Sequence, residues 1–145
     1  MANSLYCKVR TRRKKPTAKL RIIKLKIVNN NKGDILKYIS IKMKGIKKFE
    51  EIYFSEIKKR NIKGWNLHTK SYCHLAVPYG KVKFVFMSKD KKCKKTVILS
   101  KKNYKLVILP PNIWFSFESL EKISIVANYV NKVHAPEETL KNPIH

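Results

Sequence analysis

Four histidines, His68, His74, His134 and His145, are the side chains of this sequence best suited to proton transfer or metal ligation near neutral pH. A mononuclear metal site needs three or more converging N, O or S ligands. On a β-strand the strongest such pattern is His-x-His, and here Asn66 stands two residues before His68. The other histidines do not rebuild a triad, so no metal and no cofactor are predicted. The chain also lacks a P-loop, a GxGxxG turn and a Ser-His-Asp signature. Any catalysis must therefore rest on acid–base groups.

His68 sits in "KGWNLHTK", residues 63–70. Side chains of a strand alternate between its faces, so this stretch puts Asn66, His68 and Lys70 on one face and Trp65 and Leu67 on the other. The preceding segment, "FEEIYFSEI" (49–57), mixes helix-favouring Glu with strand-favouring Ile, Tyr and Phe. As a strand it aligns Glu51, Tyr53 and Ser55 on one face, opposite Ile52 and Phe54. Asn66, His68, Lys70, Glu51 and Tyr53, five polar residues, would be costly to bury against a dry interior. Lining a wet pocket at the mouth of a barrel suits them better.

The elements that would position these residues are short strands. "LRIIKLKIV" (20–28) and "ILKYISIKM" (35–43) read as strands around the turn cluster "NNNKGD" (29–34). After residue 63 the pattern is firm. "HLAVPYGKVKFVFM" (74–87) reads as two strands around Pro78 and Gly80. "KTVILS" (95–100), "YKLVIL" (104–109), "IWFSFES" (113–119) and "KISIVANYV" (122–130) follow. Strands spaced by about 8–12 residues predict an all-β sandwich or barrel. No repeat or linker interrupts the pattern, and 145 residues suffice for one core.

The net charge of +25 invites a nucleic-acid reading. Most of the 34 basic residues are Lys, however, and they are spread along the chain as on solvated faces. Only "KVRTRRKK" (8–15) is a true basic cluster; followed by Pro16, it reads as an N-terminal arm, residues 1–19, ahead of a domain over 20–145. The aromatics of "KFVFM" alternate as a core face does, not as an exposed stacking platform. Nucleic acid is therefore not the expected partner. No apolar run reaches a membrane span and no signal-peptide core is present. Cys7, Cys73 and Cys93 form no paired framework, which predicts free thiols. Together these imply a cytoplasmic protein without membrane contact.

Several motifs, in order, carry a family resemblance: the Gly33-Asp34 turn, "YFSE" (53–56), "KGW" (63–65) before a histidine, the Gly80 turn, "PPNIW" (110–114) and "HAPEE" (134–138). Over residues 32–140 the chain resembles the dTDP-4-dehydrorhamnose 3,5-epimerase family of cupins, and more closely its small epimerase-related branch. It is also similar to the sugar 3,4-ketoisomerases. The resemblance implies a single-domain jelly-roll barrel, a homodimer, a nucleotide-linked 4-keto sugar as substrate and surface-polysaccharide sugar synthesis as its setting. It implies epimerisation by proton abstraction beside the 4-keto group, without metal. The alternatives are 3,4-ketoisomerisation or a non-catalytic sugar-binding cupin.

Carried over residue by residue, the resemblance makes His68 the base, matching the second histidine of a "GWHxH" form, with Asn66 at the first. Tyr53 or His134 would supply the acid. Lys70 would hold an enolate oxygen or a phosphate, and Arg60 and Lys63 a diphosphate. Glu51, Asn66, Asn128 and Glu138 would border the sugar, and Trp114, after the Pro-Pro turn, could stack on it. The family's acid tyrosine falls at Asn128, and Phe115 stands where a histidine of its "PxGxxHG" turn would be. The family's C-terminal segment, which carries the acidic partner of the base, is missing here.

Overall fold

The computed structural model describes residues 19–142. The basic arm short of Lys19, Cys7 and His145 lie outside the described residues. The strands are β1 (Arg21–Lys24), β2 (Ile27–Val28), β3 (Ile35–Leu36), β4 (Glu51–Lys58), β5 (Ile62–His68) and β6 (Cys73–Tyr79). They continue as β7 (Lys81–Ser88), β8 (Lys94–Ser100), β9 (Lys105–Leu109), β10 (Ile113–Ser119), β11 (Ile123–Val130) and β12 (Thr139–Lys141), the last preceded by a short 3-10 turn, Pro136–Glu138.

Two antiparallel five-stranded sheets face each other, one ordered β1-β9-β6-β11-β4 and the other β12-β5-β10-β7-β8. The chain crosses repeatedly between them, giving a jelly-roll arrangement whose interior is filled by the inward face of each strand. Phe84, Phe86, Phe115 and Phe117 from β7 and β10 meet Leu75, Val77, Val107, Leu109 and Val126 from the opposing sheet. Each large apolar side chain taken fully out of water contributes about 1.5–3 kcal/mol. This layer is the principal source of stability.

The first sheet is covered on its other face as well. Ala76, Leu106 and Ile108 point outward and are buried by Leu25, Tyr104 and the apolar side chains of the irregular stretch after β3, including Tyr38, Met43 and Ile46. That double burial explains why β6 and β9 read as nearly continuous apolar runs. It also corrects the strand expected over 35–43. Only Ile35–Leu36 pairs, and the branched residues beyond it serve as a cover. The strand expected over 20–28 divides into β1 and β2 at Leu25, whose N–H bonds the Tyr104 carbonyl.

The ambiguous segment resolves as strand. Tyr53 and Ser55 face inward, whereas Ile52 and Phe54 are 46% and 68% exposed on the outer face of an edge strand. Cys73 is free and buried, but Cys93 is disulfide-bonded, which corrects the expectation of free thiols for that residue. No helix among the described residues is long and apolar enough to cross a membrane.

Candidate active site

Between the sheets a cavity of about 190 Å³ opens to solvent. Its polar wall is built by three strands. β4 contributes Tyr53 and Ser55, β5 contributes Lys63, Asn66 and His68, and β11 contributes Asn128. Its apolar floor is Leu75, Phe115, Phe117 and Val126. The rim is completed by His134 and by Thr139 and Lys141 of β12.

The strand alternation that places Asn66 and His68 here depends on a close approach between β5 and β10. Gly64 has φ +125°, and a Cβ added there would lie 2.7 Å from the Phe115 carbonyl oxygen. The neighbouring register shifts by a bulge between Phe115 and Phe117, so that Phe115 pairs with Asn66 and Phe117 with Lys63. Both phenylalanines consequently turn inward beneath His68, with the imidazole and Phe115 rings 5.7 Å apart.

His68 is nearly buried. Its Nδ1 lies 3.2 Å from Glu138 Oε2 and 3.0 Å from Thr139 Oγ1. Glu138 is itself held: its Oε1 accepts the backbone N–H groups of Lys70 at 2.8 Å and Ser71 at 2.6 Å. Burial raises the Glu138 pKa, but these two backbone donors, with the Ser71 side chain and His68, outweigh it, and the carboxyl stays below its ordinary value. An ionised carboxylate against Nδ1 fixes the proton there and leaves Nε2 as the basic lone pair. Burial lowers the His68 pKa below 6.5, only partly offset by Glu138, and His134 lowers it further. At pH 7 the ring is a neutral base.

Tyr53 stands on the neighbouring wall. Burial, with smaller contributions from Cys73 and nearby carboxylates, pushes its phenol up to about 12 despite the Asn128 hydrogen bond. It is a neutral acid at pH 7. Asn128 pairs directly with Tyr53 across the β11–β4 ladder, and its Nδ2 donates to the phenol oxygen at 2.8 Å. A base and a weak acid thus border one cavity, together with the cations Lys63 and Lys141.

Six of the residues singled out in the sequence line this cavity: His68, Tyr53, His134, Lys63, Asn66 and Asn128. The others are placed elsewhere. Glu51 lies beside the rim, where its carboxylate accepts the His134 backbone N–H at 3.2 Å and so fixes the position of residue 134. Arg60 occupies the exposed turn after β4, with φ +65°, outside the lining. β5 ends at His68, so Lys70 does not continue its inward face; its side chain is exposed and only its backbone N–H serves the site. Trp114 is buried with Leu67, Met87 and Trp65 behind the second sheet, so packing and not sugar stacking accounts for it.

The largest correction concerns Glu138. Expected to border the sugar, it lies outside the cavity lining and sets its carboxylate against His68 Nδ1, brought there by the pairing of β12 with β5, Thr139 opposite His68 and Lys141 opposite Asn66. Thr139 and Lys141 join the lining without any motif in the sequence to mark them. A three-residue strand is too short to show periodicity, and the only signal was a polar, alternating "ETLK" after Pro136. Among the described residues no three His, Cys, Asp or Glu side chains converge in a way that could hold a metal ion.

The described residues have the jelly-roll fold of solved dTDP-sugar epimerases and isomerases. Three of those structures are similar to this chain as follows. A dTDP sugar isomerase from Desulfovibrio desulfuricans G20 is 27% identical, with a TM-score of 0.81 over 86% of this chain and 83% of that one. A dTDP-6-deoxy-D-glucose 3,5-epimerase from Legionella pneumophila, solved with dTDP-4-keto-L-rhamnose, shares the fold at 22% identity and a TM-score of 0.74, covering 84% of this chain and 71% of that chain. So does a sugar 3,4-ketoisomerase from Thermoanaerobacterium thermosaccharolyticum, solved with TDP, at 17% identity and a TM-score of 0.68, over 86% and 88% of the two chains. No protein-family model and no curated protein matches the sequence.

Proposed function

We propose that this chain is an isomerase of nucleotide-linked 4-keto sugars, epimerising a dTDP-4-keto-6-deoxy sugar at a carbon beside the ketone, within surface-polysaccharide sugar synthesis. One observation carries the reading: a neutral imidazole, held on one nitrogen by a carboxylate, and a neutral phenol border the same cavity. The 27%-identical dTDP sugar isomerase supports the substrate class.

The chemistry follows from these groups. The Nε2 lone pair of His68 takes the proton from the carbon beside the carbonyl, and the C–H electron pair moves into the carbonyl to give an enolate. The Glu138 carboxylate stabilises the imidazolium that results. Tyr53 donates a hydrogen bond to the developing oxyanion or returns a proton to carbon from its own side, and His134, at the rim, is the second candidate donor. Inversion results when the returned proton arrives on the opposite face. Lys63 and Lys141 are suited to the nucleotide diphosphate as point charges, and the apolar floor of Phe115, Phe117 and Leu75 suits a deoxy carbon.

A second reading, 3,4-ketoisomerisation, is favoured by Asn128 standing where the resemblance expects the epimerases' acid tyrosine. A single histidine can move a proton between adjacent carbons on one face. The test is deuterium wash-in from heavy water into a dTDP-4-keto-6-deoxy sugar, comparing wild type with His68→Asn. Label at the carbon beside an unmoved ketone indicates epimerisation; label with a migrated carbonyl indicates ketoisomerisation. Equal wash-in by both proteins, or binding without label, would reject the catalytic reading.

The active species is proposed to be a homodimer. The exposed Ile52 and Phe54 on edge strand β4 support this, because a chain of net charge +25 needs an apolar interface to associate. Light scattering at physiological salt should give a dimer mass.

A further inference from the structure

We infer that Asn128 is a positioning residue that fixes the direction of the Tyr53 hydrogen bond, so that the phenol presents its proton to the substrate and not to the protein. This rests on the isomerase reading of the pocket, and it assigns a role to a residue that otherwise looks like passive lining.

The argument begins with a backbone group. The His74 N–H, on β6, can only donate, and it donates to Asn128 Oδ1 at 3.1 Å. That contact settles which end of the amide is oxygen. Nδ2 must then be the atom 2.8 Å from the Tyr53 oxygen, and an amide nitrogen there can only donate. The phenol oxygen is therefore the acceptor of this bond. A phenol has one proton, and no hydrogen bond spends it on a protein acceptor among the described residues. It is left for the cavity that Tyr53 lines.

The fixing is rigid. Asn128 is buried and lies on the central strand β11, paired with β4 on one side and β6 on the other. Tyr53 is its direct cross-strand neighbour on β4, and His74 belongs to β6. One side chain thus ties three adjacent strands to a single hydrogen-bond polarity. An amide can do this because it offers an acceptor and a donor on a fixed plane. A carboxylate of the same shape cannot, because both its oxygens accept.

That difference provides the experiment. Asn128→Asp keeps the shape and the bond from the His74 N–H but reverses the bond to Tyr53, whose proton would then point at the introduced carboxylate. Asn128→Leu removes both partners and leaves the phenol free to turn to the pocket. A role in packing alone predicts that Asp is the milder change. The polarity argument predicts the opposite order. Deuterium exchange by Asn128→Asp should fall by roughly a hundredfold, as for loss of a positioned acid. The loss should be in kcat with KM little changed, should match Tyr53→Phe, and should not add to it in the double variant. Asn128→Leu should retain more activity than Asn128→Asp.

A second arm does not depend on turnover. In 15N spectra of wild type, one Asn128 Nδ2 proton should be shifted downfield and slow to exchange, and it should move upfield in Tyr53→Phe. Wild-type exchange rates in Asn128→Asp, or an Asn128 amide resonance unmoved by Tyr53→Phe, would overturn the assignment. A wild type that exchanges no deuterium would instead reject the proposed function, and the spectra would still decide the polarity.

Discussion

His68 and His74 lie on consecutive strands, six residues apart, and both are buried with pKa values lowered first of all by that burial. Their surroundings differ in one respect. His74 faces the outer side of its sheet and uses both nitrogens: Nδ1 lies 2.8 Å from the Tyr129 carbonyl oxygen, and Nε2 accepts the Lys47 N–H at 3.4 Å. The Tyr129 hydroxyl grips the Lys47 carbonyl at 2.7 Å, and its ring meets His74 edge-on. His74 is thereby a fastener for the irregular cover over the sheet. His68 has one nitrogen against Glu138 and Thr139 and the other without a hydrogen-bond partner among the described residues, beside a cavity. Neither burial nor a shifted pKa separates a candidate base from a structural histidine. An unused nitrogen with somewhere to put a substrate does.

The sharpest way to break this contrast is to remove both rings in turn. His68→Asn should reduce deuterium wash-in by about 10²–10⁴-fold while leaving the melting temperature nearly unchanged. His74→Leu should do the reverse. It leaves the buried Tyr129 carbonyl without its imidazole partner, at about 1–3 kcal/mol for a buried group left unsatisfied, and frees the N–H of the exposed Lys47 to solvent. Denaturant titration should register that loss, whereas activity per folded molecule persists, because the residue 74 backbone still holds Asn128.

A smaller effect is expected behind the base. Glu138→Gln keeps a partner for Nδ1 but removes the charge that stabilises the imidazolium, and activity should fall by roughly tenfold to a hundredfold. Because Glu138 raises the His68 pKa, its removal should also move the acid limb of the pH–rate profile to lower pH. In wild type that limb lies below pH 6.5: the base is competent above the lowered pKa and is lost as pH falls through it.

The smallest effect concerns stability. Both histidines have folded pKa values below their ordinary 6.5, so between pH 7 and 5 the unfolded chain binds more protons than the folded one. Stability should decline over that interval. His74→Leu should flatten the decline by removing one of the two groups, a difference that denaturant midpoints at the two pH values can measure.

Most of the frame was legible from residue type alone. Alternation located the strands that have one face against the core, and short apolar runs located β6 and β9, which are buried on both faces. It also put Tyr53, Asn66 and His68 on the inward side. The stretch after β3 misled because Tyr38, Ile39 and Met43 are as apolar as strand residues, yet they bury against a sheet face without pairing. The role of Glu138 was hidden for a different reason. Its contact with His68 spans 70 positions and depends on β12 docking beside β5, and no local pattern encodes such a meeting.

That docking has a thermal consequence. The carboxylate against the candidate base, a hydroxyl on the same nitrogen and a rim cation all arrive on residues 138–141, an edge segment whose strand pairs with β5 at three register positions and whose Glu138 is otherwise held by residues 69–71. Short edge elements open far more often than the sheets behind them. The site should therefore melt in two stages. A fraying of β12 together with the turn before it, visible as fast amide exchange in its backbone and at Thr69, Lys70 and Ser71, should release Glu138 and silence the candidate base while the jelly roll is still intact. Inactivation on warming would then precede unfolding, and the temperature at which catalysis stops would measure the grip of one strand, not the stability of the domain.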